Sequence, residues 1–378
     1  MPSLLDLPDE LLVQVIEDAV PTAMGSGDEY KERCRTLHAV SLTSKRLHSL
    51  TLPLLYRVLR ASQTRFRSTR SAREAAEGPT GALARTLVCV DLYELDADLL
   101  SFAVAAAPRV SDLRIYYCEG LALVELQPLS ALTSLTLHAA FYNTALDFGH
   151  VQSLCLPHVF DLSLDRLYFT QSGCEAFLSS ATFPSLKHLT LGVVMLWEAD
   201  VEVKEHIVPL ISPTLLRQLG TLRCWHTSHP SDFPFPDALR VLHNVSVGSL
   251  QPEQPSYASL SESPHVALLL RGMVFPDPGA SGDPYRIVNA KGALREMAAT
   301  LSRVTDVKSH PLKLAVVDSD LLEDDDGLAE LKPAMDAFLE ACKTARVEVI
   351  VQETPQHGFD SLVSKSFVRW CEKKYATE

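Results

Sequence analysis

The sequence lacks any apolar run that could cross a membrane. Its longest candidate, residues 99–107, is well short of the ~20 apolar residues that a transmembrane helix needs. The first residues are acidic and include no basic stretch, so we expect no secretory signal. These absences predict an intracellular protein, in the cytoplasm or the nucleus, with no membrane partner.

Paired cysteines and excess positive charge are missing as well. The eight cysteines are scattered without a Cys-x-x-Cys pair, which in a large intracellular chain is typical of small buried apolar residues. The 34 basic and 47 acidic residues give a net charge of -13. Nucleic-acid binding depends on neutralising phosphates, so this balance predicts no nucleic-acid partner.

Motifs for catalysis or cofactor binding are scarce. Gly192, Gly220 and Gly248 are isolated and build no phosphate-binding loop. The chain contains no Gly-x-Ser-x-Gly turn that would present a hydrolase nucleophile. We therefore expect no enzyme activity, no catalytic residue and no cofactor.

Two stretches carry residue types that can bind metals. Cys224, His226 and His229 lie within six residues, but no second cluster completes the four ligands of a zinc site. A strand end followed by a loop is therefore the preferred interpretation. The acidic run at residues 318–326 lacks the EF-hand spacing, because leucines occupy positions where ligands and the turn glycine are needed. We expect no metal site.

What the sequence does contain is an amphipathic segment near its start. Residues 7–12 read Leu-Pro-Asp-Glu-Leu-Leu. Pro8 suits the first position of a helix, and the two acids that follow it favour the positive end of the helix dipole. The apolar positions recur with the 3.6-residue period of one helix face: Leu7, Leu11, Leu12, Val15, Ile16 and Ala19. An ordinary surface helix packed on the chain's own core shows the same periodicity.

A second apolar segment follows at residues 37–47 and continues into Leu-Pro-Leu-Leu-Tyr at residues 52–56. We expect a later helix here. The Gly, Ser and charged residues of the stretch 21–36 predict a loop between the two helices. Helices this short cannot bury their own apolar stripes, so the segment favours a docking surface that another protein covers.

The ordered combination of these phrases resembles an F-box, the module that attaches substrate receptors to the Skp-type adaptor of cullin–RING ubiquitin ligases. The resemblance covers about a sixth of the chain. It implies a non-catalytic receptor that binds the adaptor, and through it the cullin scaffold, and that holds a protein client. The adaptor-binding residues implied by position are Leu7, Pro8, Leu11, Leu12, Ile16, Val40, Leu42 and Leu47. We expect Leu11, Leu12 and Ile16 to be left open for the partner.

The resemblance departs from the family pattern at Leu47, where most F-boxes have Trp or Phe. This leaves a second interpretation, an F-box-like repeat scaffold for protein–protein interaction without a ubiquitin-ligase role. An enzyme with its site at the carboxyl ends of strands is a third class, which no motif supports.

The rest of the chain repeats a short apolar phrase of the form Leu-x-x-Leu-x-Leu, whose alternation fits a strand. Helical stretches separate the phrases, as in leucine-rich repeats. The central anchors are 26, 22, 19, 35 and 33 residues apart, at Leu87, Leu113, Leu135, Leu154, Leu189 and Leu222. An unrelated α/β fold is the alternative.

The expected fold class is therefore α/β: a three-helix F-box-like module followed by an irregular leucine-rich-repeat-like solenoid. We place the module at residues 1–60, a helical linker at 61–82 and the repeats at 83–378. The linker region carries an excess of arginine, which predicts a solvated helix or, alternatively, a surface for an acidic partner. Toward the end we expect helices at 293–304, 328–344 and 362–373, and strands at 313–317 and 347–351.

Overall fold

The fold is known from a computed structural model. It describes residues 6–21, 27–62, 81–90, 109–116, 126–138, 154–165, 167–192, 194–198, 201–203, 207–225, 236, 239–246, 266–271, 291–292, 294–295, 297–299, 301–302, 314–318 and 331–352. The chain divides into two compact units. The first unit is Met1–Ser185 with Trp197–Val201, and the second is Leu186–Leu196 with Glu202–Glu378.

The first unit begins with three helices: α1 (Asp9–Ala19), α2 (Gly27–Ser41) and α3 (Lys45–Tyr56). Pro8 stands just before α1 as its N-cap, one position earlier than expected. The side chain of Ser44 caps α3 by accepting a hydrogen bond from the backbone N–H of Leu47 at 3.1 Å. Such a cap satisfies one of the free amides of the first turn.

Two expectations about these helices are wrong in detail. Residues 27–36 are helical rather than loop, because Tyr30, Cys34 and Leu37 keep a helical spacing after two acids in the first turn. The segment 37–47 is not one helix either. It is the end of α2, a turn at residues 42–44 and the start of α3, so Leu42 lies in the turn.

Five parallel strands follow in the first unit, each paired with the next along the chain: β1 (Val58–Ser62), β2 (Thr86–Val90), β3 (Asp112–Tyr116), β4 (Ser134–His138) and β5 (Asp161–Asp165). Their apolar residues alternate as the phrases predict, and one face of the strands is buried. The residues of that face are Leu87, Cys89, Leu113, Ile115, Leu135, Leu137, Leu162 and Leu164.

One strand is displaced from its predicted position. We expected the fourth repeat at residues 151–156. Residues 151–153 lie outside the described residues, residues 154–160 are not a strand, and β5 begins at Asp161. Val159 and the residues after it fit the apolar phrase equally well. With Leu162 as anchor, the spacings from Leu87 through Leu113 and Leu135 become 26, 22 and 27 residues, which is more regular than predicted.

The same backbone hydrogen bonds recur where these strands begin. The backbone carbonyl of the residue just before one strand accepts two hydrogen bonds at 2.8–3.2 Å. One comes from the N–H of the residue just before the next strand, and the other from the N–H of that strand's first residue. The accepting carbonyls in the first unit belong to Arg57, Arg85, Ser111 and Thr133. In the second unit the carbonyl of Lys187 accepts the N–H groups of Gly220 and Thr221 in the same way.

The remaining elements, in chain order, are β6 (Leu167–Phe169), α4 (Gln171–Phe177), β7 (His188–Leu191), β8 (Val194–Glu198), β9 (Val201–Val203), α5 (Pro213–Gln218), β10 (Thr221–Trp225), β11 (Arg240–Ser246), β12 (Val266–Arg271), β13 (Leu314–Asp318), α6 (Lys332–Thr344) and β14 (Glu348–Gln352). Gly81–Leu83 and Val208–Leu210 form short 3-10 helices. Within the second unit, β7 pairs in parallel with β10, and β10, β11, β12, β13 and β14 pair in succession.

The end of the second unit has a core of its own. The inner face of α6 joins β13, β14 and helical residues of the 291–302 region, through side chains such as Leu294, Met335, Phe338 and Val317. The predictions for the strands at 313–317 and 347–351 are confirmed within one residue. Helix α6 begins at Lys332, and the expected helix at 362–373 lies outside the described residues, as do the acids at 319–326.

The predicted mixed α/β class is confirmed, and the described strands of both units pair in parallel. The expected boundaries at residues 60 and 82 stay predictions, and most of the linker lies outside the described residues. Within the described part of the chain, no helix combines the length and apolarity needed to cross a membrane.

Candidate functional site

The three N-terminal helices, which we call the helical module, enclose a core of their own. Leu12, Ile16 and Val20 of the α1 segment meet Leu37 of α2 and Leu54 of α3. Leu12 is fully enclosed, and Ile16 is 7% exposed. Burying a leucine or isoleucine side chain contributes about 1.5–3 kcal/mol. This cluster therefore holds the module together from within.

The expectation that Leu11, Leu12 and Ile16 stand open together is met only at Leu11. Helix α1 has two apolar stripes offset by one residue, because residues four apart share a face of a helix. Leu12 and Ile16 form the inner stripe. Leu11 and Val15 form the outer stripe and are 49% and 40% exposed.

A third apolar side chain is even more open. Leu42, in the turn between α2 and α3, is 73% exposed. Together Leu11, Val15 and Leu42 are what we call the outer patch. Val15 was not predicted as a binding residue, although its position four residues after Leu11 is a signal for the same helix face.

The other residues implied by the resemblance are divided between surface and interior. Pro8 is exposed and Leu7 is half-buried. Val40 and Leu47 are half-buried and pack against the module core. Leu47 therefore supports the interior more than it offers a surface.

Two ion pairs connect α1 to α3. At the start of both helices, Nη2 of Arg46 lies 2.6 Å from Oδ1 of Asp9. At their far ends, Nη1 of Arg57 lies 3.1 Å from Oε1 of Glu17. The pairs follow the same order along both helices, so α1 and α3 run in the same direction.

Polar side chains anchor α2 to its neighbours. The buried Arg33 donates a hydrogen bond from Nη1 to the carbonyl of Pro21 at 3.0 Å, and burial lowers the pKa of Arg33. The hydroxyl of Tyr30 donates to the carbonyl of Val58 at 3.0 Å, and burial raises the pKa of Tyr30. These bonds tie α2 to the end of α1 and to the start of β1.

A second candidate surface lies on the strands. Alternate residues of β3, β4 and β5 turn away from the apolar face and are all polar. We call this set the polar strand face; its residues are Asp112, Arg114, Tyr116, Ser134, Thr136, His138, Asp161, Ser163 and Asp165. None of these residues was predicted as a binding residue from the sequence.

The polar strand face holds one ion pair and one close histidine–aspartate contact. Nη2 of Arg114 lies 3.1 Å from Oδ2 of Asp112, and Nδ1 of His138 lies 2.8 Å from Oδ2 of Asp165. Burial opposes the charge of Arg114, but the Asp112 carboxylate outweighs it, so the pKa of Arg114 is raised. The ring of Tyr116 lies 5.9 Å from that of His138, centroid to centroid. The face offers charged and hydrogen-bonding groups in fixed positions.

Polar side chains also share one face of β7 and β10 in the second unit. Nδ1 of His188 lies 2.8 Å from Oγ1 of Thr221 on the neighbouring strand. Thr190 and Arg223 occupy the next paired positions along these two strands, and both are buried. The polar character does not extend to β11, where Leu242 pairs with Arg223.

The stretch that carries metal-ligand residue types is only partly described. Cys224 lies within β10 and is fully buried. His226 and His229 lie outside the described residues. In the part of the chain that the structure covers, no group of three or more His, Cys, Asp or Glu side chains could hold a metal ion.

The outer patch is the candidate site for a partner, because three large apolar side chains stay open beside a core that is already closed. No protein-family model matches the chain, and no curated protein matches it at a significant level. What the site can do is therefore argued from its own residues.

Proposed function

We propose that this protein is a non-catalytic substrate receptor of an SCF-type cullin–RING ubiquitin ligase. The helical module would bind the Skp-type adaptor as an F-box does, and the strand region would hold a protein client as a leucine-rich-repeat-like solenoid. Such a receptor acts in the cytoplasm or the nucleus. It works by proximity, since it raises the local concentration of client lysines near a thioester carried by another protein.

The observation that carries the proposal is the outer patch. The module already has a closed core in Leu12, Ile16 and Leu37, yet Leu11 and Leu42 remain open to solvent. Apolar side chains that a partner covers usually dominate an interface, and each costs roughly 1–4 kcal/mol of binding when truncated. A patch that does not serve the module's own stability supports a docking role.

The strand region supports the second half of the proposal. The carbonyl that accepts two N–H groups at the starts of β2, β3, β4, β5 and β10 gives these units the same neighbour-to-neighbour link, which supports an array of stacked repeats. The polar strand face carries polar groups on the side opposite the buried leucines. We assign this face to the protein client through its half-buried members, such as Tyr116, Thr136 and Ser163, because His138 and Asp165 are enclosed.

Binding to a purified Skp-type adaptor tests the proposal. We expect the full chain to bind in isothermal titration calorimetry and the variant Leu11→Lys with Leu42→Lys to bind at least ~10-fold more weakly, because two charges enter an apolar contact. Leu12 is left unchanged, since a lysine there would disrupt the core. The matched control is Gln14→Lys with His48→Lys, which adds the same charge at exposed polar positions.

The control should bind the adaptor like the unmodified chain, and the circular dichroism spectra of all three proteins should be the same. Absence of binding by the unmodified chain, or equal binding by the Leu11 and Leu42 variant, would reject the adaptor-binding role.

The alternative is a repeat scaffold without a ligase role. It is favoured by Leu47, which packs against the module core and stands where most F-boxes have an aromatic residue. In that case the protein would bind its client through the polar strand face, and neither adaptor nor cullin would co-purify with it.

A further inference from the structure

We propose that Arg46 is a positioning residue of the docking surface: its guanidinium fixes the first turn of α1 to the start of α3, and so holds Leu11 and Leu42 in one arrangement. This inference rests on the proposed function, because it assigns a task to a residue beside the outer patch. Arg46 was not among the binding residues that the resemblance implied.

Three described hydrogen bonds of Arg46 fall on one short segment, residues 7–9. Its Nε donates to Oδ1 of Asp9 at 2.9 Å, and its Nη2 donates to the same oxygen at 2.6 Å. Nη2 also donates to the carbonyl of Leu7 at 2.7 Å. One planar guanidinium therefore forms hydrogen bonds to the residues on both sides of Pro8. A lysine ammonium could not make these bonds with the same geometry.

The start of α1 needs this support. Its N-cap is Pro8, whose side chain makes no capping hydrogen bond, so the first turn lacks the usual side-chain acceptor. Leu7 and Asp9 flank that proline. By holding both, Arg46 fixes the direction in which the chain enters α1 and hence the position of Leu11 one turn later.

Arg46 also lies close to Leu42, four residues after it in the sequence. It is the second residue of α3, and the turn before it is ordered by the Ser44 cap and by Thr43, whose Oγ1 donates to the carbonyl of Val40 at 2.8 Å. Four residues span at most about 14 Å. The Arg46 contacts thus join the two parts of the outer patch.

The charges argue for positioning rather than for stability. The side chains of Arg46 and Asp9 are 41% and 58% exposed, and ion pairs this exposed contribute little to the free energy of unfolding. Loss of Arg46 should therefore leave the module folded while it loosens the patch.

The chain supplies a matched control in Arg57 and Glu17. This pair joins the same two helices with similar exposure, 58% and 37%. Glu17 is two helical turns beyond Asp9, about 12 Å along the axis. If Arg46 acts through its place beside the patch, Arg57→Ala should not reproduce the effect of Arg46→Ala.

The first measurement is the affinity of the full chain for a purified Skp-type adaptor. We expect Arg46→Ala to weaken binding about tenfold, Arg46→Lys to weaken it less, and Arg57→Ala to leave it unchanged. The reversed pair, Asp9→Arg with Arg46→Asp, should recover part of the loss, because it restores the link between the helices. A direct contact of Arg46 with the adaptor would not be recovered by that reversal.

The second measurement needs no partner. The N–H of Leu12 donates to the carbonyl of Pro8 at 3.0 Å in the first turn of α1. Hydrogen exchange of this amide should accelerate in Arg46→Ala and not in Arg57→Ala. An unchanged exchange rate, or adaptor affinity equal to that of the unmodified chain, overturns the inference. Failure of the unmodified chain to bind the adaptor overturns the proposed function instead, whatever the exchange shows at Leu12.

Discussion

Nδ1 of His138 on β4 lies 2.8 Å from Oδ2 of Asp165 on β5, at positions that the two parallel strands pair directly. The side chains are only 9% and 4% exposed. Burying an ionic or strongly polar group is costly unless a partner compensates it. The two residues therefore depend on each other, although 27 residues separate them in the sequence.

We predict that Asp165→Ala destabilises the first unit by about 1–3 kcal/mol, because the buried imidazole then loses its carboxylate. The double variant His138→Leu with Asp165→Leu should cost less than the sum of the two single leucine variants, since it removes both members of the contact together. Urea unfolding of the unmodified chain, the two single leucine variants and the double variant measures this coupling. Additive losses would show that the pair is not coupled.

An exposed ion pair serves as the reference for that experiment. Lys343 and Glu340 on α6 lie one turn apart, and their side chains are 80% and 70% exposed. Glu340→Ala should shift the urea midpoint by no more than the experimental scatter, because solvent screens such pairs. A large effect at Glu340 would mean that burial does not explain the result at Asp165.

Leu11 and Leu12 are neighbours with opposite environments, which yields a second prediction. Leu12→Ala should destabilise the helical module by about 2–5 kcal/mol, because it leaves a cavity in a closed core. Leu11→Ala should change stability by less than about 1 kcal/mol, since its side chain is half exposed. Thermal unfolding of the two variants would measure the difference. Equal losses would mean that Leu11 also belongs to the core and would remove the main support for a docking role.

Much of the fold could be predicted because its signals are local. The start of α1 follows from Pro8 and the acids after it, and the strands around Leu113 and Leu135 follow from alternation within six residues. Even the displaced strand had a local signal. Two apolar phrases follow one another at residues 151–156 and 159–164, and only the spacing from Leu135 favours the second one.

The candidate site could be predicted only in part, because exposure is decided by packing between helices. Leu11 and Leu12 look equivalent in the sequence, and a 100° step on the helix separates surface from core. Leu42 was placed in a helix, although the chain turns there. The pairing of His138 with Asp165 depends on the register between two strands, which neither strand encodes alone.

A third prediction concerns the aromatic cluster of the first unit. Phe177 and Phe183 are fully buried, and their rings meet edge to face with centroids 5.1 Å apart. Phe177→Ala should destabilise the unit by about 3–5 kcal/mol, because it removes a large buried side chain and this contact. Phe160, which is 44% exposed, provides the control, and Phe160→Ala should cost about 1 kcal/mol or less. Urea unfolding of both variants measures the difference, and a ranking in the opposite order would contradict the burial of Phe177.

The buried thiols give the fourth prediction, a loss of stability at high pH. Burial raises the pKa of Cys89 and Cys342 to about 12 from an ordinary value of 9.0. Between these values the thiols ionise in the unfolded chain and stay protonated in the folded one. The unfolded state then binds fewer protons, so the free energy of unfolding falls as the pH rises.

The fall in the free energy of unfolding should be absent below about pH 9. Above that pH it should approach about 1.4 kcal/mol per pH unit for each buried thiol. Urea unfolding at pH 8, 9.5 and 10.5 measures the slope for the unmodified chain and for Cys342→Ala, which should be less steep by the share of one thiol. Cys155→Ala, which removes an exposed thiol, is the control variant. Identical slopes in the unmodified chain and in Cys342→Ala would contradict this prediction. They would mean that the thiol of Cys342 ionises as readily in the folded chain as in the unfolded one, so that solvent reaches the core on which α6 packs.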